Sequence, residues 1–338
     1  MTTPPPLPIT FVLPGEPDLE ALAARSPDAD PRAFRLGEHA WVLQTYSRLA
    51  RAGHTVSLSA TLPASGVALF HTKHRRAIAR LAPAFGGPLL ISIRADGSES
   101  GIADFEILQN GRFADGRRRF PVPFWRQPGL VPRDGSREAR IERCAFKGVS
   151  RNLHPRFRSQ AWRDILASRG IAWEIDAADL GPGGAGDADP AWCDYSAVDL
   201  VLAVRPASRR LHSNKPASKL VNAWTAGVPA LLGPEFAYRE LRRSSLDYLE
   251  VDSIDHAREA VDLLRSDTGL YRAMVENGRH RAAAFSDEAV LDRWVKLLYE
   301  VIPARVAAHE GAALRKLPLG IRSGVRRLHR WLTLRPSR

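Results

Sequence analysis

The densest chemistry in the chain lies in the run His212-Ser-Asn-Lys215-Pro-Ala-Ser-Lys219-Leu-Val-Asn222-Ala-Trp-Thr-Ala-Gly227-Val-Pro-Ala-Leu-Leu-Gly233-Pro-Glu235. Pro216 suits the first turn of a helix, where its missing N–H is not needed, and Gly227 suits the residue that ends one. A helix opening at the carboxyl edge of a parallel sheet presents unpaired backbone N–H groups and a positive dipole end. Lys215 just before that helix and Lys219 in its first turn add two cations, so the expected ligand is a diphosphate. The competing reading is a surface helix whose lysines are solvated. Two further cations follow strand-like runs. Arg151 closes Phe146-Lys147-Gly148-Val149-Ser150-Arg151, and Arg205 follows Val198–Val204. Guanidinium suits bidentate contact with phosphate and can stabilise the charge of a departing diphosphate. Either arginine could instead be exposed or ion-paired.

The elements that must position these groups alternate. The spacing predicts a buried first strand at Ile9–Leu13, a helix over 38–51 and a strand from Thr55 to Leu58. Further strands are expected at Val67–Phe70, Pro88–Ile93 and Phe105–Leu108, with a helix at Arg75–Ala84. The Pro- and Arg-rich segment Arg119–Arg133 interrupts the pattern, and its prolines argue against a regular ladder and for an interdomain crossing. After Ser136 alternation resumes: strands at Ile141–Phe146, Ala172–Ile175, Val198–Val204 and Pro229–Leu232, with helices at Arg158–Arg169, Ala217–Ala226 and several segments from Phe236 to Val301. Strands alternating with helices imply α/β domains with parallel sheets. The expected organisation is an N-terminal domain over 1–135, a second over 136–302 and a basic tail over 303–338. Two consecutive domains of this kind leave a ligand cleft between them.

Composition narrows the function classes. With 338 residues, 44% hydrophobic and 25% charged, the chain is globular rather than disordered, and no run of 18 apolar residues offers a membrane span. The N-terminus lacks the pattern of a secretory signal, so a cytoplasmic protein is expected. Cys144 and Cys193 have no ligand-like spacing, so no disulfide framework or structural metal site is expected. The net charge of +12 is uneven: residues 112–163 hold 14 Lys/Arg against 4 Asp/Glu, and residues 303–338 hold 9 against 1. Such stretches attract polyanions, whether nucleotide phosphates, nucleic acid or anionic lipid. In the tail, Ile321, Val325, Leu328, Trp331 and Leu332 recur at near-helical spacing among the cations, which is the pattern of a helix lying in an anionic membrane interface. A helix packed on the first domain is the alternative.

The string KPASKLVNAWTAGVPALLG resembles the nucleotide-sugar-binding segment of the GT-B glycosyltransferases, most closely its fucosyltransferase-like version. Upstream, Leu36-Gly37-Glu38-His39 and Arg51-Ala-Gly53-His54-Thr-Val56 resemble the first βα unit of the same fold. The two matches occur in the family's order and, with the alternation, span roughly residues 8–300. The resemblance implies an α/β protein with two Rossmann-like domains facing each other across a cleft. Lys219 would contact the donor pyrophosphate. In one retaining branch two glutamates eight positions apart bracket this helix. Asn214 and Asn222 stand at those positions here, and an amide can bond a hydroxyl but carries no charge. Glu235 and Glu240 remain as candidate ribose or sugar ligands.

An inverting transferase also needs a general base from the first domain. Asp96, after the strand at 88–93, is the first candidate and His39 the second, with His71 behind them. Arg94 and Asn110 are candidate acceptor ligands. The DxD strings Asp28-Ala-Asp30 and Asp187-Ala-Asp189 lie in Ala/Gly/Pro-rich linkers and read as solvated acids, so no metal is expected. The leading expectation is therefore a metal-independent glycosyltransferase that takes a nucleotide sugar as substrate and needs no further cofactor. Its acceptor would be a hydroxyl of a glycan or lipid-linked glycan, in bacterial surface polysaccharide synthesis at the inner face of the membrane. The rivals are an epimerase or phosphorylase of the same fold, and a nucleic-acid-binding protein using the 112–163 stretch with Phe120, Phe124 and Trp125 as stacking groups. No specific nucleic acid is expected as partner.

Overall fold

A computed structural model describes residues 7–35, 37–83, 85–95, 97–178, 192–206, 213–308 and 317–333, without the side chains of 177–178, 327 and 329–333. The chain forms two compact units. The first comprises Met1–Val122 with Leu291–Arg338, and the second Pro123–Val290. Residues 123–135 group with the second unit, and 291–308 and 317–333 with the first.

The first unit is a parallel sheet of β1 (Ile9–Val12), β2 (Val56–Ser59), β3 (Val67–His71), β4 (Leu89–Ile93), β5 (Phe105–Leu108) and β6 (Arg119–Pro121), in the order β2-β1-β3-β4-β5-β6. Strands β1, β3, β4 and β5 are buried at every position, as expected of parallel strands covered on both faces. β6 corrects the expectation that prolines prevent pairing in 119–133. It sits at the sheet edge, where Pro121 withholds no ladder bond a further strand would need, and it pairs with β5 through Glu106–Leu108. Helices α1 (Leu19–Ala24), α2 (Gln44–Arg51) and α3 (Arg75–Leu81) follow β1, the π-helical turn at His39–Leu43 and β3.

The second unit repeats the plan with β7 (Arg143–Val149), β8 (Ala172–Ala178), β9 (Leu200–Ala203), β10 (Ala230–Leu232) and β11 (Leu249–Glu250), parallel and ordered β11-β10-β9-β7-β8. Its helices are α4 (Gln160–Ala167), α5 (Ser218–Ala226), α6 (Phe236–Leu241), α7 (Ile254–Ser266) and α8 (Thr268–Ala282). In the C-terminal part α9 (Asp287–Lys296), α10 (Ile302–Ala307) and α11 (Leu319–Thr333) follow. One apolar core joins Phe146, Trp162, Leu202, Leu220, Trp224, Leu231 and Tyr271 of the second unit. The two-residue strand β11 carries too little periodicity to stand out from the sequence.

Both sheets share one consequence of strand order. The chain builds outward from β1 in one direction through β2 and in the other through β3, and likewise from β7 through β8 and β9. Where that direction reverses, the loops leaving the carboxyl ends of the two central strands part and open a crevice, the usual ligand position of such sheets. The loops after β1 and β3 mark that place in the first unit, and the loops after β7 and β9 mark it in the second.

Candidate active site

In the second unit the switch point is lined by cations. Arg151 is exposed in the 3-10 turn Ser150–Asn152 directly after β7, and Arg205 lies two residues past β9. Helix α5 opens beside them. Its N-cap is Ala217, which offers no capping side chain, whereas Ser159, Ser253 and Asp267 cap α4, α7 and α8. Gly227 ends α5 at φ +70°, and a side chain there would press against Arg279.

Lys219 reaches from the first turn of α5 to the end of β7. Its ammonium lies 5.3 Å from the Phe146 ring centroid, within cation–π range, and 3.0 Å from the point a Cβ on Gly148 would occupy. Gly148, at φ +148°, thus gives the ammonium room over the strand end. G148A is expected to push the Lys219 ammonium aside and to weaken phosphate binding by about tenfold, one charge-assisted hydrogen bond's worth. Titration with a nucleoside diphosphate, beside a melting curve that tracks backbone strain, checks this.

Arg205 and Glu235 form a second feature. The guanidinium Nε donates to both carboxylate oxygens at 3.0 and 3.1 Å, with the side chains only 8% and 4% exposed. Burial raises the Glu235 carboxyl above its ordinary pKa, against the pull of Arg205, Lys219 and Lys215. Those four groups therefore share one electrostatic environment. Lys215 and Asn214 are half-buried in the turn before α5, and Glu240 is exposed on α6. Asn222 goes elsewhere. One turn further along α5 it is buried, and its Oδ1 accepts from the Gln127 N–H at 3.1 Å while its side chain bonds the Tyr195 hydroxyl. It anchors the segment entering the unit.

The switch point of the first unit gathers groups that sequence reasoning named only in part. His39 Nε2 donates to Glu16 Oε1 at 2.8 Å, and neighbouring Glu38 pairs with Lys73 and, at 3.7 Å, His74. Burial would raise the Glu38 carboxyl, but hydrogen bonds from His74 and Lys73 outweigh it and hold the group well below its ordinary value. Ligand atoms of Glu16, Glu38 and His39 lie within 4.8 Å of one another. A dication there would have to displace the Lys73 ammonium, so the group reads as a hydrogen-bonded network. Glu16, Lys73 and His74 were missed because they belong to loops after β1 and β3 whose approach depends on strand order. Asp96 lies outside the described residues. His71 Nδ1 accepts from the Lys73 N–H, Arg94 donates to the Gly97 carbonyl, and Asn110 caps the turn at Arg112. Of the two DxD strings, Asp28 and Asp30 form surface pairs with Arg48 and Arg25, and Asp187 and Asp189 lie outside the described residues.

No family model matches the sequence, and no curated protein matches it. Solved structures do match the fold. Sucrose-phosphate synthase from Thermosynechococcus elongatus superposes with a TM-score of 0.57 at 13% identity, over 88% of this chain and 100% of that one. HepE from Anabaena, in complex with UDP and glucose, gives 0.53 at 11% identity over 86% and 99%. A glycosyltransferase from Rickettsia africae gives 0.51 at 8% identity over 88% and 99%. The chain has the GT-B fold, an α/β architecture with two Rossmann-like units.

Proposed function

We propose that the protein is a glycosyltransferase that takes a nucleoside-diphosphate sugar as donor and a hydroxyl of a glycan or glycolipid as acceptor. The observation that carries this reading is the Lys219 ammonium held over the end of β7 at the switch point of the second sheet, with the uncapped start of α5 and the buried Arg205–Glu235 pair past β9 and β10. Lys219, with the first-turn N–H groups, would hold the diphosphate and stabilise its charge as the glycosidic bond to the donor breaks. Arg151, exposed in the turn after β7, and Lys215, in the turn before α5, would add to it, so that side-chain cations meet the leaving group's charge. Glu235, fixed by Arg205, is the candidate partner of a ribose or sugar hydroxyl, and Asn214, next to Lys215, is a second.

His39 is the candidate base of the first unit. Because its Nε2–H is given to Glu16, the neutral imidazole keeps its lone pair on Nδ1, where it can accept a proton from the acceptor hydroxyl. H39A is expected to lower kcat by about 100-fold with little change in donor affinity, and Glu16→Gln by about tenfold, because only the tautomer and ring orientation are lost. Steady-state rates beside donor titrations separate the two effects.

HepE was solved with UDP and glucose, so UDP-sugars head the donors to try. Turnover is tested by incubating the protein with UDP-, GDP-, ADP- and dTDP-sugars and glycan or lipid-linked acceptors, reading release of the free nucleotide and mass gain of the acceptor. Acceptor-dependent release from one donor supports the reading. Release without a heavier acceptor favours rearrangement or hydrolysis of the donor on the same fold.

A further inference from the structure

The first unit carries an apolar and basic surface that sugar transfer leaves unused. Helix α11 packs on the sheet through Leu319, which joins Val12, Phe70, Leu90 and Ile102 in one cluster. Two of its arginines turn inward with it. Arg326 donates to the Ile102 carbonyl and to Asp104 Oδ1, each at 2.7 Å, and Arg322 lies 3.8 Å from the same oxygen. Both are almost fully buried. With Asp104 pinning that face, the opposite one presents Ile321, Val325 and Leu328, at i, i+4 and i+7, to solvent, 53%, 39% and 58% exposed.

Helix α3 adds to this surface. Its Ile78 lies in the same cluster as Leu319, so the two helices cover one face of the sheet. The outward residues of α3 and its following loop are Arg76, Arg80, Leu81 and Phe85, the last 64% exposed. Between Lys73 and Ala82 there are four Lys/Arg and no acid. Apolar side chains set among cations of one sign match a sheet of anionic headgroups over hydrocarbon. Among the described residues no helix is long and apolar enough to cross a membrane. We infer that the outward faces of α3 and α11 form a docking surface for an anionic lipid bilayer, held in shape by the Asp104 clamp on Arg322 and Arg326.

Cosedimentation of the full chain with vesicles tests this without donor or acceptor, so its outcome is independent of sugar transfer. Phosphatidylcholine vesicles containing phosphatidylglycerol should bind, and pure phosphatidylcholine should not. The triple variant Ile321→Ser/Val325→Ser/Leu328→Ser should lose about tenfold or more in affinity. R76Q and R80Q should each lose about fivefold. All these positions are exposed, so melting curves should match the wild type. Failure to bind phosphatidylglycerol vesicles would overturn the inference. So would full retention of binding by the triple variant, which would reduce the surface to general polyanion attraction. A wild-type dimer in light scattering that the triple variant turns into a monomer would assign the stripe to a second copy instead.

Discussion

Lys219→Ala should weaken nucleoside-diphosphate binding by about 10- to 100-fold, the range of one charge-assisted hydrogen bond in a partly desolvated site. The melting temperature of the ligand-free protein should move by only a few degrees, since removing a half-buried ammonium costs about 1 kcal/mol or less. Three features concentrate the effect in this side chain. Lys219 springs from the first turn of a helix whose N-cap cannot satisfy its own amides, its ammonium rests over the Phe146 ring, and Gly148 keeps the strand end clear beneath it. Lys219→Arg should rescue poorly. The ammonium sits 3.0 Å from the point a Cβ on Gly148 would occupy, and the planar guanidinium is wider. Calorimetric titration of the three proteins with one nucleotide checks both statements.

Asp199→Asn should produce the largest loss of stability, about 3–5 kcal/mol, because it leaves the buried Arg133 guanidinium without its counter-charge and takes one of two carboxylate partners from the half-buried Arg137. Asp199 is fully buried directly before β9. Its Oδ1 accepts from Arg133 at 3.0 and 2.8 Å and from Arg137 at 2.8 Å. Its Oδ2 accepts from Arg137 at 2.7 Å and from the Glu142 and Arg143 N–H groups at 2.8 and 3.0 Å. Burial acts to raise this carboxyl, but the bonds from Arg137, Glu142 and Arg133 prevail and hold it below the ordinary value. A depressed native pKa stabilises the fold above the unfolded-state value, near 3.9, and that contribution is lost as the pH falls through the native one. The gap between wild type and Asp199→Asn in urea melts should therefore be full at pH 7 and shrink below about pH 4.

Much of this was legible in the sequence because it rests on local pattern. The alternation of buried runs with helical spacing announced both sheets. Pro216 and Gly227 bracketed α5, whose cation Lys219 then lay where a first-turn residue must. Arg205 and Glu235 were named as separate ligands, and only the fold shows them locked to each other. That pairing depends on β9 and β10 being neighbours, and the string does not state neighbour order. The same blindness hid Glu16, Lys73 and His74, which reach the neighbouring His39 and Glu38 from the loops after β1 and β3, strands that pair directly. Asn222 shows a different limit. Its spacing fits a ligand position, and the string does not say that the Gln127 N–H, remote in sequence, donates to its Oδ1. The grouping of α10 and α11 with the first unit was also hidden, since nothing in the spacing of a helix says which sheet it will cover.

The central claim, a nucleoside-diphosphate site at the switch point of the second sheet, is tested most directly by a thermal-shift panel of UDP, GDP, ADP, dTDP and CMP with their sugar conjugates. A ligand at 100 times its Kd adds about 2.7 kcal/mol to the apparent stability, a rise of several degrees for units of this size. The account predicts that one base family raises the melting temperature of the wild type and that Lys219→Ala abolishes the rise. Stabilisation by none of these nucleotides, or an equal rise in Lys219→Ala, would contradict it.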